Sequence, residues 1–268
     1  MKKEIPKLEV SNLTMSYGSY VVMKSINFSV KRSEIFLIIG GSGCGKSTLL
    51  KCLIGLKECP PNKIFYDGAD ISKNQEDFCH KFGVLYQSGA LWSSMTVAEN
   101  VALPFSEYTK LSKSDIDSIV EFKLSLVGLD DFGDFYPSQL SGGMKKRAGL
   151  ARAMALDPDI LFLDEPSAGL DPISAAKLDD LILKIRETFG TTIVAITHDL
   201  DSIFKIGDRA IYLDGESKSI TAEGCPSDLK NDPDQGKVSA FLSRKYTDIS
   251  MPQKEVKIYK HQGLPPPI

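Results

Sequence analysis

At 268 residues, with 42% apolar and 25% charged side chains, the chain has ordinary globular composition and is long enough to bury a sizeable core. A net charge of −3 gives no general attraction for polyanions, which makes nucleic acid a poor default partner. No apolar run approaches the ~20 residues that span a bilayer, and the charged start MKKEIPKLEVSN has no apolar leader core, so a soluble chain is expected, held at any membrane by another protein.

Residues 8–15 and 21–30 predict two antiparallel strands joined at Gly18-Ser19. Residues 35–39 are continuously apolar, the pattern of a strand covered on both faces, and a helix over about 46–56 follows a glycine-rich loop. Residues 82–86 predict another strand. From about 88 to 157 the texture becomes helical. Thr96 and Glu99 have capping-box spacing, and Ile116, Ile119, Val120, Leu124 and Val127 share one face of a helix over 112–127. A third helix should run over 141–156. Residues 160–163 and 192–196 predict buried strands, with a helix between them that Asp171-Pro172 opens and Gly190 ends. Strand, helix and strand in that order imply a parallel sheet. The chain thus divides into a single α/β domain over 1–243 and a polar tail over 244–268 ending in Pro265-Pro266-Pro267. The cysteines, Cys44, Cys52, Cys59, Cys79 and Cys225, form no C-x-x-C pair, and their scatter suits a reducing compartment.

The loop Gly40-Gly41-Ser42-Gly43-Cys44-Gly45-Lys46-Ser47 matches G-x-x-x-x-G-K-[ST] in the required place, after a strand and before a helix. Its glycines let backbone N–H groups turn toward phosphate oxygens, and the helix directs its positive end at them. Lys46 suits the β- and γ-phosphates and the Ser47 hydroxyl suits Mg²⁺. Cys44 reads as a tolerated small side chain. Residues 160–163 end in Asp164, suited to the metal, and Glu165, suited to polarise an attacking water. His198 follows a strand end, where a side chain can reach a ligand above a parallel sheet; Gln87 also follows a strand, and taken alone reads as an ordinary surface glutamine. A second glycine segment, Leu140-Ser141-Gly142-Gly143-Met144, opens a helix whose first turn carries Lys145, Lys146 and Arg147. Cations there oppose the helix dipole, so they either point into water or meet an anion docked at that end.

In this order, Tyr17, the phosphate loop, Gln87, residues 140–144, Asp164-Glu165, Asp171 and His198 resemble the ATP-binding subunits of ABC transporters over about residues 8–243. The resemblance implies a P-loop NTPase (RecA-like) core with an N-terminal antiparallel β subdomain and an inserted α-helical subdomain. It implies ATP, with Thr48 beside Ser47 in its cradle, and Mg²⁺ held by Ser47, Gln87 and Asp164. It implies a homodimer in which Ser141, Gly142 and Gly143 contact the γ-phosphate of ATP held by the opposite subunit. The usual fifth residue of that segment is Gln; Met144 removes one polar side chain from the contact. Glu165, Gln87 and His198 would be catalytic, Tyr17 would stack on adenine, and residues 167–171, ending in Asp171, would link the subunits. Residues 140–147, 89–101 and 231–234 are most similar to the ATPase of MCE-type (Mla) phospholipid transporters. That likeness implies a separate transmembrane permease docking near 87–100, an MCE-type substrate-binding subunit, and a peripheral place on the cytoplasmic face of the inner membrane. In that group the tail can cross to the partner ATPase; residues 244–268 either do so or extend freely. An importer of amino acids or another small solute would keep the same chemistry. A soluble ABC protein acting on DNA or ribosomes would usually carry two cassettes or a long coiled-coil insert, and this chain carries one cassette.

Overall fold

The computed structural model describes residues 5–73, 78, 81–234 and 236–244. The alternating N-terminal pattern forms β1 (Leu8–Tyr17) and β2 (Tyr20–Val30), antiparallel and closed where Tyr17 pairs with Tyr20. The apolar run forms β3 (Ile35–Gly40), followed by α1 (Lys46–Leu53). Two short strands, β4 (Ile64–Tyr66) and β5 (Ala69–Asp70), complete a four-stranded sheet in the order β2-β1-β4-β5. After β6 (Phe82–Leu85) come α2 (Val97–Tyr108), α3 (Lys113–Leu126) and α4 (Gly142–Ala153). The chain continues through β7 (Ile160–Asp164), α5 (Pro172–Phe189), β8 (Thr192–Ile196), α6 (Leu200–Ile206), β9 (Arg209–Asp214), β10 (Ser219–Gly224), α7 (Pro226–Asn231) and α8 (Gly236–Leu242). The second sheet has the order β10-β9-β3-β8-β7-β6, parallel throughout except for β10 against β9.

This is the expected α/β architecture: a parallel core, an antiparallel β subdomain and a helical insert. The core explains the continuous apolar strands. Phe36 and Ile38 of β3, with Ile160 and Phe162 of β7, pack toward α1 and the antiparallel sheet. Ile35, Leu37 and Ile39, with Leu161 and Leu163, pack toward α5 and α6. Both faces are therefore dry, as parallel sheets require. The insert has its own apolar centre, in which Val97 and Val101 meet Val120, Leu124 and Ala148.

The predicted caps form. Thr96 Oγ1 accepts from Glu99 N at 3.2 Å while Glu99 Oε2 accepts from Thr96 N at 2.7 Å. Asp171 caps α5, and Gly190, at φ 66°, ends it. Two helices stop earlier than predicted. α1 ends at Leu53 rather than 56, just before Gly55 turns left-handed, and α4 ends at Ala153 rather than 156, ahead of Asp157 at φ 49° and Pro158. Among the described residues no helix is long and apolar enough to cross a membrane. Apart from Arg244, the tail at 244–268 lies outside the described residues.

Candidate nucleotide site

Because β3, β6, β7 and β8 are parallel, the loops that follow them leave the same edge of the sheet. The phosphate loop follows β3, Gln87 follows β6, Asp164-Glu165 ends β7, and His198 follows β8.

The loop is shaped by what its glycines exclude and leave open. Gly40 has φ 150°, and a Cβ there would lie 2.5 Å from the Leu213 carbonyl oxygen and 2.9 Å from Cys44 Sγ, so no side chain fits. A Cβ on Gly41 or Gly43 would meet nothing within 4 Å, so that side has room for a ligand. Gly45 stands at the N-cap of α1 and supplies no side chain to cap it, which leaves the helix end to interact with an anion. Lys46 Nζ reaches back to donate to the carbonyls of Gly40 at 2.8 Å and Gly41 at 2.9 Å. Ser42 and Ser47 are exposed and Thr48 is half-buried. Cys44 is buried, and burial raises its thiol above the usual range, so it stays a protonated small side chain.

Opposite the loop, Glu165 holds a left-handed backbone at φ 48°. Its N–H donates to Ile196 O at 2.9 Å, and its own carbonyl accepts from Ala168 N at 3.2 Å and Lys146 Nζ at 3.0 Å. Its Oε1 lies 2.8 Å from His198 Nδ1, so the structure joins the two residues directly. Burial pushes the Asp164 carboxyl up, and the Glu165 charge adds to this; Lys146, Lys46 and Lys51 oppose it. Asp164 therefore stands in the field of the loop lysine. Gln87 is exposed. Tyr17 is 52% exposed, with the Lys57 ammonium 4.1 Å above its ring, so it is not packed on its own sheet.

The second glycine segment lies at the N-terminus of α4, where Ser141 Oγ accepts from Met144 N at 3.3 Å. Ser141 and Gly142 are exposed, and the glycines pack on the segment after Glu165: a Cβ on Gly142 would lie 3.7 Å from Leu170 Cδ2, and one on Gly143 3.6 Å from Ser174 Cβ. Asp171 caps α5 through Ile173 N and Ser174 N, both at 3.0 Å, and bonds with Ser174 keep its carboxyl low. Two of the three cations after the glycines bond to backbone carbonyls. Lys146 is buried at the Glu165 carbonyl; burial pulls its ammonium down, while the charges of Asp164 and Glu165 oppose that. Arg147 Nη1 donates to Val127 O at 2.7 Å and Gly128 O at 2.9 Å, just beyond the C-terminus of α3, where a cation is favoured.

Two residues absent from the sequence-based site frame it. Arg152 donates to Ala90 O at 2.7 Å and Gly89 O at 3.3 Å, anchoring the segment after Gln87. Asn100, wholly buried on α2, bonds to Trp92 N and O, Met95 O and Thr96 O. Beside that anchored segment lies a cavity of about 450 Å³ lined by Tyr86, Trp92, Leu103, Pro104, Tyr108 and Leu156. Polar Asn100 among the apolar residues of α2 was the one local sign of this framework.

The family model described as ABC transporter matches residues 23–168. The intermembrane phospholipid transport system ATP-binding protein MlaF of Haemophilus influenzae is 41% identical over 231 residues, covering 85% of this chain and 87% of that protein. A protein of Mycobacterium bovis described as "Probable ribonucleotide transport ATP-binding protein mkl" is 43% identical over 206 residues, covering 75% of this chain and 57% of that protein. Among solved structures, the dimeric post-hydrolysis state of the ATP-binding cassette MJ0796, bound to ADP and Pi, superposes with a TM-score of 0.73 at 29% identity, covering 81% of this chain and 98% of that one.

Proposed function

The chain belongs to the ABC transporter family, and from that premise we propose that it is the ATP-hydrolysing subunit of a phospholipid transporter, acting as a homodimer on a separate transmembrane permease. The observation that carries the chemistry is the gathering of the phosphate loop, Gln87, Asp164-Glu165 and His198 at one edge of the parallel sheet. Lys46, now on its loop carbonyls, would hold the β- and γ-phosphates, for which the open side of Gly41 and Gly43 leaves room. Ser42, Cys44, Gly45 and Thr48 contribute to the same cradle through the loop backbone and the first turn of α1, and Tyr17 stacks on adenine. Ser47, Gln87 and Asp164 form an all-oxygen donor set suited to Mg²⁺, which when bound neutralises phosphate charge. Glu165 takes a proton from the attacking water at its carboxylate, a contribution of roughly 10²–10⁴ in rate, and His198 orients that carboxylate. Ser141, Gly142 and Gly143 of one copy complete the site of the other, with Asp171 at the seam; the dimeric ADP-bound cassette supports this arrangement.

The cavity beside Trp92 and Tyr108 is the docking place for the permease, so the subunit sits peripherally on the cytoplasmic face of the inner membrane, with an MCE-type subunit as a further partner. Phospholipid is favoured as cargo because MlaF matches over 87% of its length, against 57% for the ribonucleotide-transport relative. The test is reconstitution in vesicles with the membrane subunits that copurify with this chain. Wild type should couple phosphate release to phospholipid movement. Glu165→Gln should bind ATP and do neither. Near-normal phosphate release by that variant would reject Glu165 as the base, and solute uptake without lipid movement would favour the importer reading.

A further inference from the structure

The Lys146 ammonium, on the helix α4 that Ser141 caps, is buried at the backbone of Glu165. Lysine is rarely buried so completely without a specific partner, because desolvating its charge is costly. The partner here is the main chain of the residue proposed as the base. That residue holds a left-handed conformation, unusual outside glycine, so it depends on its surroundings to stay there. Lys146 is one of the groups that fix it, together with Ala168 N and Ile196 O.

The same helix approaches the strand-end segment at a second point. Leu170 and Ser174, shortly after Glu165, lie close enough to Gly142 and Gly143 that a Cβ on either glycine would be in van der Waals contact with them. Five residues of helix, about 7.5 Å of rise, separate Ser141 from Lys146. The start of α4 and residues 165–174 are thus coupled at both ends of a stiff lever.

We propose that Lys146 is a positioning residue that links the Ser141–Gly143 end of α4 to Glu165, so that engagement of one copy's α4 by the partner's nucleotide sets that copy's own base. This rests on the shared-site reading above. Lys146 touches no reacting atom; it acts through the Glu165 carbonyl, and no covalent step is involved.

The test is steady-state ATP hydrolysis by the full chain, with Lys146→Met, which keeps the apolar stem and loses the charged donor, and Lys146→Arg, which keeps a donor. In Lys146→Met, kcat should fall about tenfold or more, the scale of one lost hydrogen bond from a charged donor. KM for ATP should stay within about twofold, because the phosphate loop is untouched. The cooperativity in ATP that a two-site dimer shows should weaken, and Lys146→Arg should recover most of kcat. Should Lys146→Met not fold, Lys146→Leu, which is also apolar and carries no donor, gives the same comparison. Unchanged kcat, or cooperativity that survives the loss of kcat, would overturn the proposal. So would kcat, KM and melting temperature falling together with no recovery in Lys146→Arg. Normal phosphate release by Glu165→Gln, assayed alongside, would instead reject the underlying assignment of the base.

Discussion

Asp179, on α5, is 3% exposed. One carboxylate oxygen accepts from Ser202 Oγ at 3.0 Å, while Oδ1 has no hydrogen-bond partner among the described residues. Burial pushes its carboxyl up to about 6; the Ser202 bond and Lys205 oppose the shift, and Asp199 and Asp180 add to it. The folded chain therefore binds this proton more tightly than the unfolded chain. Its contribution to stability is full below about pH 4 and is lost as pH rises through about 6. The penalty at neutral pH is of the order of 3 kcal/mol at most. Asp179→Asn should raise stability at pH 7.5 by about 1–3 kcal/mol and narrow the difference at pH 4, measured by urea unfolding at both values. An equal effect at both would show that Asp179 does not titrate in this range. What the sequence disclosed at this scale was local: Thr96 with Glu99, and Asp171 with Ser174, are three residues apart. Lys146 and Arg147 find carbonyls 19 and 20 residues away, and no spacing rule reaches that far.

At the scale of elements, α3 ends in its own left-handed turn at Gly128 and is tied there to a neighbour. Val127 O and Gly128 O lie just past its last turn and accept from Arg147 on α4. Arg147→Ala should destabilise the fold by about 1–2 kcal/mol and should loosen α3 first. Hydrogen exchange checks the order: residues 120–128 should gain exchange while β7 and β8 keep their protection. Uniform or unchanged exchange would contradict the role of Arg147 as a cap for α3. Most long periodic or fully apolar segments were legible because burial on one or both faces imposes a pattern, but β9, buried from Ala210 onward, was not read from it. The three residues of β4 and two of β5 are too short to show one, and β10 is mostly half-exposed. α4 ended early because Asp157 and Pro158 turn the chain, a local signal that the apolar stripe obscured.

At the scale of the molecule, motif order revealed the ATPase, and strand order explains why the motifs meet. β3 lies between β9 and β8, so the phosphate loop emerges beside the strand that leads to His198, and the next strand, β7, delivers Asp164 and Glu165. No pattern within a strand states which neighbour it will take. In the same chain, Ser141 and Gly142 are exposed and the segment packs on Leu170 and Ser174, an arrangement suited to presenting it to another copy. Sharing makes a prediction that one self-sufficient site does not. Glu165→Gln lacks the base but keeps residues 141–143, whereas Ser141→Arg keeps the base and blocks that segment. Each variant alone should be inactive. Mixed in equal amounts, random pairing makes half the dimers heterodimers, each with one complete site, so up to about a quarter of the wild-type rate should return, the shortfall measuring how far the blocked α4 leaves that copy's own base unset. The recovered rate should scale with the heterodimer fraction as the ratio is varied. Its complete absence, with each variant shown to bind ATP and to pair, would mean that each chain completes its own site.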